Sequence, residues 1–411
     1  MQPSKTQVLA PAGRPVAHSL KVLFFVEGFT DIRFVVGLSE ICDLTLVVPA
    51  DAYQTSGLKA RVIASETRLQ VHEIPGGRIA FQFRSLARIW RIARNVDVIL
   101  SQEMLRGSLN ATVVGALRGV PVVTTVALPA LEYFRCRRER KRIGPLAAGV
   151  GEAVIRTLLA INGRLATSCL ALGPYLMGVI GRTCTRTEPG YYYGVDTRTF
   201  RPASAAERVA IRRQLGLPVD KFLIILPSRI SHEKDPETVL TAVSQARMRG
   251  LDAVLLNLGG GYKEFISLAA SLGLHNPSAW VLGRPAAHPM HELADYFRAA
   301  DVLVQGSLEE GLGLSPLEAL ACETPVVATA VGGMAAHLGN YAMLTPRRDA
   351  EAMARALLVV AAVPHVARLQ ARRGREYVCR EWNRDRAFRE LRRALASVTA
   401  HGVVSDREEA A

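Results

Sequence analysis

The feature that most restricts this chain is a repeated alternation of short apolar runs with helical segments. In the second half, FLIILPS (222–228), AVLLNLG (253–259), AWVLG (279–283), DVLVQG (301–306) and PVVATA (325–330) read as buried strands, too short for ordinary helices. Helical stretches separate them. Asp235-Pro236-Glu237 supplies an N-cap with proline in the first turn, opening a helix that runs to Gly250. The first half repeats the rhythm with KVLFFV (21–26), LTLVVP (44–49), LQVHEI (69–74), DVILS (97–101), VPVVTTV (120–126) and LATSCLALG (165–173). Strands that alternate with helices predict an α/β chain built on parallel, doubly wound sheets. At 411 residues the chain exceeds one ordinary core, so two such domains with a cleft between them are expected. The boundaries read as a flexible tail over 1–18, domains over 19–195 and 196–375, a closing helical segment over 376–398 that packs back toward the first domain, and a second tail over 399–411. Ligands of such sheets sit beyond the carboxyl ends of the strands. Arg229, Gly259 to Gly261 and the 306–313 loop all fall there.

Composition narrows the function classes. Hydrophobic residues make up 49% and charged residues 21%, which describes a globular chain. The six cysteines are scattered without a C-x-x-C, which argues against a metal or disulfide framework and for a reducing cytoplasm. The N-terminus lacks the apolar core of a signal peptide. The seventeen uncharged residues from Leu165 to Gly181 are broken by Gly173-Pro174 and make a poor membrane span. Net charge is +14, and it is uneven. Residues 1–200 hold 25 Lys/Arg against 14 Asp/Glu, or +11, leaving 26 against 23, or +3, for the rest. The basic half predicts an anionic partner. Zinc-finger spacing, an aromatic RNA-binding motif and a basic zipper are all missing from the sequence, so nucleic acid is not expected. Neither half shows G-x-G-x-x-G between a strand and a helix, which removes the usual signature of a dehydrogenase.

The stretch EEGLGLSPLEALACETP (309–325) concentrates the chemistry. Ser315-Pro316-Leu317-Glu318 fits a capping box, with Ser315 as N-cap and Pro316 at the first helical position. That reading explains Glu318 but not Glu310, nor Gly311 and Gly313, which suit close approach of backbone to a ligand. Upstream, Arg229 follows its strand directly and Lys234 precedes a capped helix. Two cations beside helical amides make a diphosphate site, or else a pair of surface cations at a turn. The glycine run at 259–261 is open to the same two readings.

Taken together, SRISHEK (228–234), NLGGGYKEF (257–265), the 306–333 stretch and YGVDTRTFRP (193–202) resemble the retaining, nucleotide-sugar-dependent glycosyltransferases of group 1 (family 4). The resemblance covers roughly 190–395, including REYVCREW (375–382). It implies the GT-B architecture of two Rossmann-like domains. It also implies that Arg229 and Lys234 hold the donor diphosphate and stabilise its departure, that Glu310 contacts the donor sugar, and that Glu318 contacts the ribose. Backbone amides from Gly311 through Leu312, Gly313 and Leu314 to Ser315 would face phosphate and sugar oxygens. Arg284 would lie near the base, and Gly28 in the first loop near the phosphates. Fixed donors aimed at developing charge are typically worth about 2.7–4 kcal/mol each. The sequence shows no D-x-D pair, so the expectation is a transferase that needs neither metal nor cofactor beyond its donor substrate.

Several positions depart from that family. EGFTDIR (27–33) has one glycine where a pair is common, and TTVALPALEYF lacks a histidine after its strand. Glu323, Tyr193 and the GGMAA run (332–336) also differ. These changes bear on the acceptor side. They leave open a degenerate sugar-nucleotide-binding relative, or an epimerase or phosphorylase of the same architecture. RCRRERKR (135–142) places Arg135, Arg137, Arg138, Arg140, Lys141 and Arg142 beside apolar residues. It reads either as a solvated loop or as a seat on an anionic membrane near a glycan or lipid-linked acceptor. In FRSLARIWRIAR (83–94), Phe83, Leu86, Ile89, Trp90 and Ala93 read as one face, either packed on the sheet or adding to that membrane seat, with Arg84, Arg88 and Arg91 elsewhere. The expected setting is polysaccharide or glycolipid assembly in the cytoplasm, peripheral to the inner face of the cell membrane.

Overall fold

The computed structural model describes residues 19–28, 30–55, 58–65, 69–141, 144–284 and 290–399. The expected tail over 1–18, all but Thr399 of the one over 399–411, and Arg142 lie outside them. The chain divides into two compact units. Among the described residues, the first comprises 19–131, 145–193 and 385–399, and the second comprises 132–144 and 194–384.

The first unit is a seven-stranded sheet of β1 (Lys21–Phe25), β2 (Asp43–Pro49), β3 (Leu69–Ile74), β4 (Val98–Gln102), β5 (Val122–Val126), β6 (Ser168–Leu172) and β7 (Thr187–Gly190), in the order β3-β2-β1-β4-β5-β6-β7. Every pairing is parallel, as in Val22↔Leu44 and Val22↔Val98. Right-handed crossovers place the helices Arg78–Ile92, Arg106–Arg118 and Pro145–Leu165 on one face, because β3, β4, β5 and β6 advance in one direction. Phe81, Ile89, Ala111 and Val114 pack there against Leu23, Phe25 and Ile99. The uncharged stretch from Leu165 to Gly181 forms β6 and the short helix Gly173–Ile180. Within the same unit Phe388, from the helix Arg384–Ser397, lies against Phe34 with ring centroids 6.2 Å apart. A Cβ at Gly37 would come within 1.9 Å of that ring, so the contact needs glycine.

Two expectations are corrected in this region. The helix read over 83–94 spans Arg78–Ile92, and its buried face is Phe81, Ser85 and Ile89. Phe83, Leu86 and Trp90 are exposed instead of covering the sheet. Phe81 takes the inward place by stacking on Phe25 at 5.9 Å, and that turns the other aromatic residues outward.

The second unit carries six parallel strands: β8 (Phe222–Leu226), β9 (Ala253–Asn257), β10 (Val281–Gly283), β11 (Val302–Gln305), β12 (Val326–Thr329) and β13 (Met343–Thr345), in the order β10-β9-β8-β11-β12-β13. The fold is therefore the expected α/β one of two parallel sheets. In the second sheet β8 and β11 are neighbours, with Val302↔Ile224 in register, while the order runs outward from them in both directions. In doubly wound sheets ligands bind at such a reversal, beyond the carboxyl ends of the strands.

Candidate functional site

Both loops at this reversal carry the charged residues singled out in the sequence. After β8 come Arg229, Glu233 and Lys234, and then the helix Pro236–Met248. Asp235 caps that helix from a left-handed backbone (φ +43°), its carboxylate accepting from the Thr238 amide at 3.3 Å and the Thr238 hydroxyl at 2.6 Å. The Leu308 amide donates to the Glu233 carbonyl at 2.9 Å, so the loop after β11 rests on the loop after β8. Gly306 permits this approach: a Cβ there would meet Val239 at 2.8 Å and the Asp235 carbonyl at 3.1 Å.

Lys234 and Glu310 are brought together. The Lys234 Nζ donates to Glu310 Oε2 at 2.6 Å, with the two side chains only 17% and 13% exposed. The same oxygen accepts from Gln305 Nε2 at 2.8 Å and from the Ser307 hydroxyl at 3.2 Å. Three donors on one oxygen fix the position of the carboxylate. Arg229 is different, because its side chain is 76% exposed and its guanidinium lies 3.9 Å from Glu233. Glu233 is also held by Arg137 at 3.3 Å. Burial opposes the charge on Glu233, but its own loop amide and Arg137 outweigh it and hold the carboxyl below the usual range. Arg137 belongs to the helix Ala130–Lys141, whose residues from Glu132 onward fall in the second unit. The Tyr133 phenol is pushed well above its ordinary value, first by burial and then by Glu310, Glu233 and Glu309, with Arg229 acting the other way. Arg229, Glu233 and Glu310 therefore share one neighbourhood.

The glycines close the backbone around it. A Cβ on Gly259 would fall 1.8 Å from the Ser228 carbonyl, and one on Gly333 would fall 2.1 Å from the Gly311 carbonyl. The Gly333 amide donates to the Glu310 carbonyl at 2.9 Å, and His337 Nε2 lies 2.8 Å from the Leu312 carbonyl. The capping expectation at Ser315 is corrected. The helix starts at Leu314, with Gly313 as N-cap at φ +91° and no side-chain cap, and Pro316 is its third residue. Glycine lets the chain turn two residues earlier than the sequence pattern suggested. Glu318 is therefore not a capping-box residue; it lies on this helix, 3% exposed. Leu314 and Ser315 form the first turn.

Arg284 follows β10 and lines an open hollow of about 530 Å³ with Gly260, Gly261 and Tyr262. Its guanidinium donates to the Leu215 carbonyl at 3.0 Å and to the carbonyl of Gly283 at 3.0 Å. Gly28 is exposed in the first unit, after β1, and a Cβ there would meet nothing within 4 Å. The basic run from Arg135 is helical up to Lys141, which replaces the loop expected there. Within it Arg137 pairs with Glu233 and Glu139 with Arg348, while Arg135 is exposed and Arg138 half-buried. Arg140 and Lys141 close the helix. Sequence reasoning missed Gln305, Ser307, Glu233 and Tyr133. Only Gln305 left a signal, as an amide on the last residue of an otherwise apolar strand, where burial requires a partner.

A pair of parallel sheets with a charged site at a strand-order reversal is an architecture that GT-B glycosyltransferases share. The chain superimposes on the Anabaena protein Alr3699/HepE in complex with UDP-glucose with a TM-score of 0.72 at 16% identity, covering 92% of this chain and all of that one. It matches sucrose-phosphate synthase from Thermosynechococcus elongatus with a TM-score of 0.69 at 19% identity, covering 90% and 97%. Residues 207–375, which contain the whole β8–β12 site, match the family "Glycosyl transferases group 1". A curated relative, D-inositol 3-phosphate glycosyltransferase 1 of Catenulispora acidiphila, is 31% identical over 259 residues. That match takes in 60% of this chain and spans 59% of the relative's length.

Proposed function

We propose that the protein transfers a sugar from a nucleotide-diphosphate sugar to an acceptor, with retention of anomeric configuration. The observation that carries this is the Lys234–Glu310 pair, fixed at 2.6 Å beyond the carboxyl ends of the neighbouring strands β8 and β11, inside the family segment. In this reading the diphosphate displaces part of that pair. Lys234 and the exposed Arg229 then neutralise the two phosphates as the bond to the anomeric carbon breaks. Glu310, held by Gln305 and Ser307, faces the sugar, and the buried Glu318 serves the ribose. The hollow beside Arg284 takes the base, with its backbone as the main contact, since the guanidinium is already engaged. Gly311 to Ser315 supply amides. Two side-chain cations and helical amides supply the charge stabilisation, and the reading assigns no role to a metal.

The acceptor we assign is a glycan or lipid-linked molecule used in cell-surface polysaccharide or glycolipid synthesis. The enzyme would then work in the cytoplasm, against the inner face of the membrane. A second reading is favoured by the name of the curated relative, which points to an inositol phosphate as acceptor. A panel of UDP-, GDP- and ADP-sugars, with mass analysis of products made on lipid extract or on inositol phosphate, separates these. A new glycosidic bond supports transfer and identifies the acceptor. Donor binding without turnover on any acceptor would leave the degenerate-relative reading in its place.

A further inference from the structure

The face of the first unit that carries the helices Arg78–Ile92, Arg106–Arg118 and Pro145–Leu165 is apolar on its outside. On Arg78–Ile92, Ile79 is 77% and Phe83 72% exposed, and Leu86 and Trp90 continue the same row at steps of three and four residues. That spacing makes one stripe along the helix. On Pro145–Leu165 a second stripe runs through Leu146, 83% exposed, then Val150 and Val154, and resumes at Ile161. The intervening helix packs against both and leaves Leu117 exposed at its end. Exposed apolar stripes of this kind, on two helices of one packed layer, mark a docking face.

Charge tells what docks there. Residues 78–96 contain five arginines (78, 84, 88, 91 and 94) and no aspartate or glutamate. Arg118 adds a guanidinium 3.7 Å over the Trp90 ring. A second copy of this chain would bring like charge against like charge in a two-fold contact, which argues against self-association. Aromatic and aliphatic side chains framed by arginine match an anionic bilayer surface, where rings enter the headgroup boundary and guanidiniums reach phosphates. Pro145–Leu165 is long and apolar enough by composition to cross a membrane. Its inner side is committed to the fold, however. Asn162 is buried, donating to the Leu105 carbonyl at 3.0 Å and accepting from Thr112 at 3.0 Å. That commitment leaves the outer stripe as the part of the helix that is free to meet a membrane.

We propose that this three-helix face is the membrane-docking surface, recognising anionic lipid through the 78–94 arginines and the Ile79–Phe83–Trp90 stripe. The inference rests on the membrane-side part of the proposed function and moves the contact from the 135–142 run, where Arg137 and Glu139 are already paired within the second unit.

The test is flotation of the full chain with phosphatidylcholine vesicles, with and without about a third phosphatidylglycerol. Tryptophan emission is recorded in parallel. Trp280 and Trp382 are buried, so a blue shift reports Trp90. The wild type is expected to float with anionic vesicles only. Ile79→Ser/Phe83→Ser and Arg91→Glu/Arg94→Glu are each expected to weaken binding at least tenfold and abolish the shift. Circular dichroism and a thermal unfolding transition like those of the wild type show that the first unit folds in both variants, and UDP binding by the second unit should be unchanged. Flotation that survives both variants overturns the proposal in favour of another surface, such as 135–142. Absence of flotation also overturns it, whether the protein sediments as a monomer or as a dimer. If the wild type floats as expected but turns over no nucleotide sugar, the docking surface stands and the transferase reading falls.

Discussion

Glu310→Gln separates binding from chemistry at the proposed site. Glu310 Oε2 takes three hydrogen bonds, and the one from Lys234 at 2.6 Å is charge-assisted. Glutamine keeps the shape and can still accept from Gln305 and Ser307 through its carbonyl oxygen. It removes the charge that occupies Lys234. Charge-assisted bonds are about twice as strong as neutral ones, so Lys234 is released at a saving of about 1–1.5 kcal/mol to an incoming diphosphate. UDP should bind about 5–10-fold more tightly to the variant. If Glu310 acts on the sugar during transfer, turnover of the nucleotide sugar should fall by about 10²–10³, the scale for a lost transition-state contact. Titration calorimetry with UDP and steady-state release of nucleoside diphosphate measure the two effects. Opposite signs are the signature of the proposed roles. UDP affinity that falls in proportion to turnover would refute the reasoning, because it would mean that the carboxylate only holds the loop together.

Three further outcomes follow from other contacts. Burial pushes the Glu103 carboxyl from 4.5 up to about 8, against hydrogen bonds from the Ala127 and Leu128 amides. The folded state then holds a proton that the unfolded state has released, so stability should fall by up to about 1.4 kcal/mol per pH unit from about pH 4.5 to about 8. Glu103→Gln should flatten that slope, and chemical denaturation at pH 5 and 8 checks it. Gly259→Ala sets a methyl 1.8 Å from the Ser228 carbonyl. The Ser228–Arg229 turn has to move, at a cost of about 1–3 kcal/mol in denaturant unfolding and at least a tenfold loss of UDP affinity. Arg137→Ala leaves Glu233 to Arg229, 3.9 Å away. UDP affinity at low salt should fall a few-fold as Arg229 is drawn toward Glu233, with the difference shrinking as salt rises.

The strands legible in the sequence were mostly the interior ones, with the edge strands β3 and β10 read as well. β1, β2, β4, β5, β6, β8, β9, β11 and β12 are runs of β-branched and aliphatic residues bounded by breakers, and burial on both faces writes that pattern directly. The two that escaped are edge strands. β7 is Thr-Glu-Pro-Gly and β13 is three residues long, so no apolar run marks these two edges, whereas the edge strands β3 (LQVHEI) and β10 (VLG) kept one. The charged pair at Lys234 and Glu310 was legible as two residues after two strands, but their 2.6 Å contact depends on β8 and β11 being neighbours. No local pattern encodes that adjacency. Tyr133 and Arg137 were invisible for a similar reason: they lie on a helix between β5 and β6, yet pack with the second unit. The capping box at Ser315 was misleading because a left-handed glycine ended the loop first.

The central claim is that Lys234 and Arg229 seat a nucleotide diphosphate beside Glu310. Calorimetric titration of UDP, GDP and ADP into wild type and Lys234→Ala tests it most directly. One diphosphate should bind the wild type at a single site, and the variant should bind it about 10–150-fold more weakly, the equivalent of about 1.5–3 kcal/mol for a charged hydrogen bond. Equal affinity in the two proteins would contradict the claim and move the donor elsewhere.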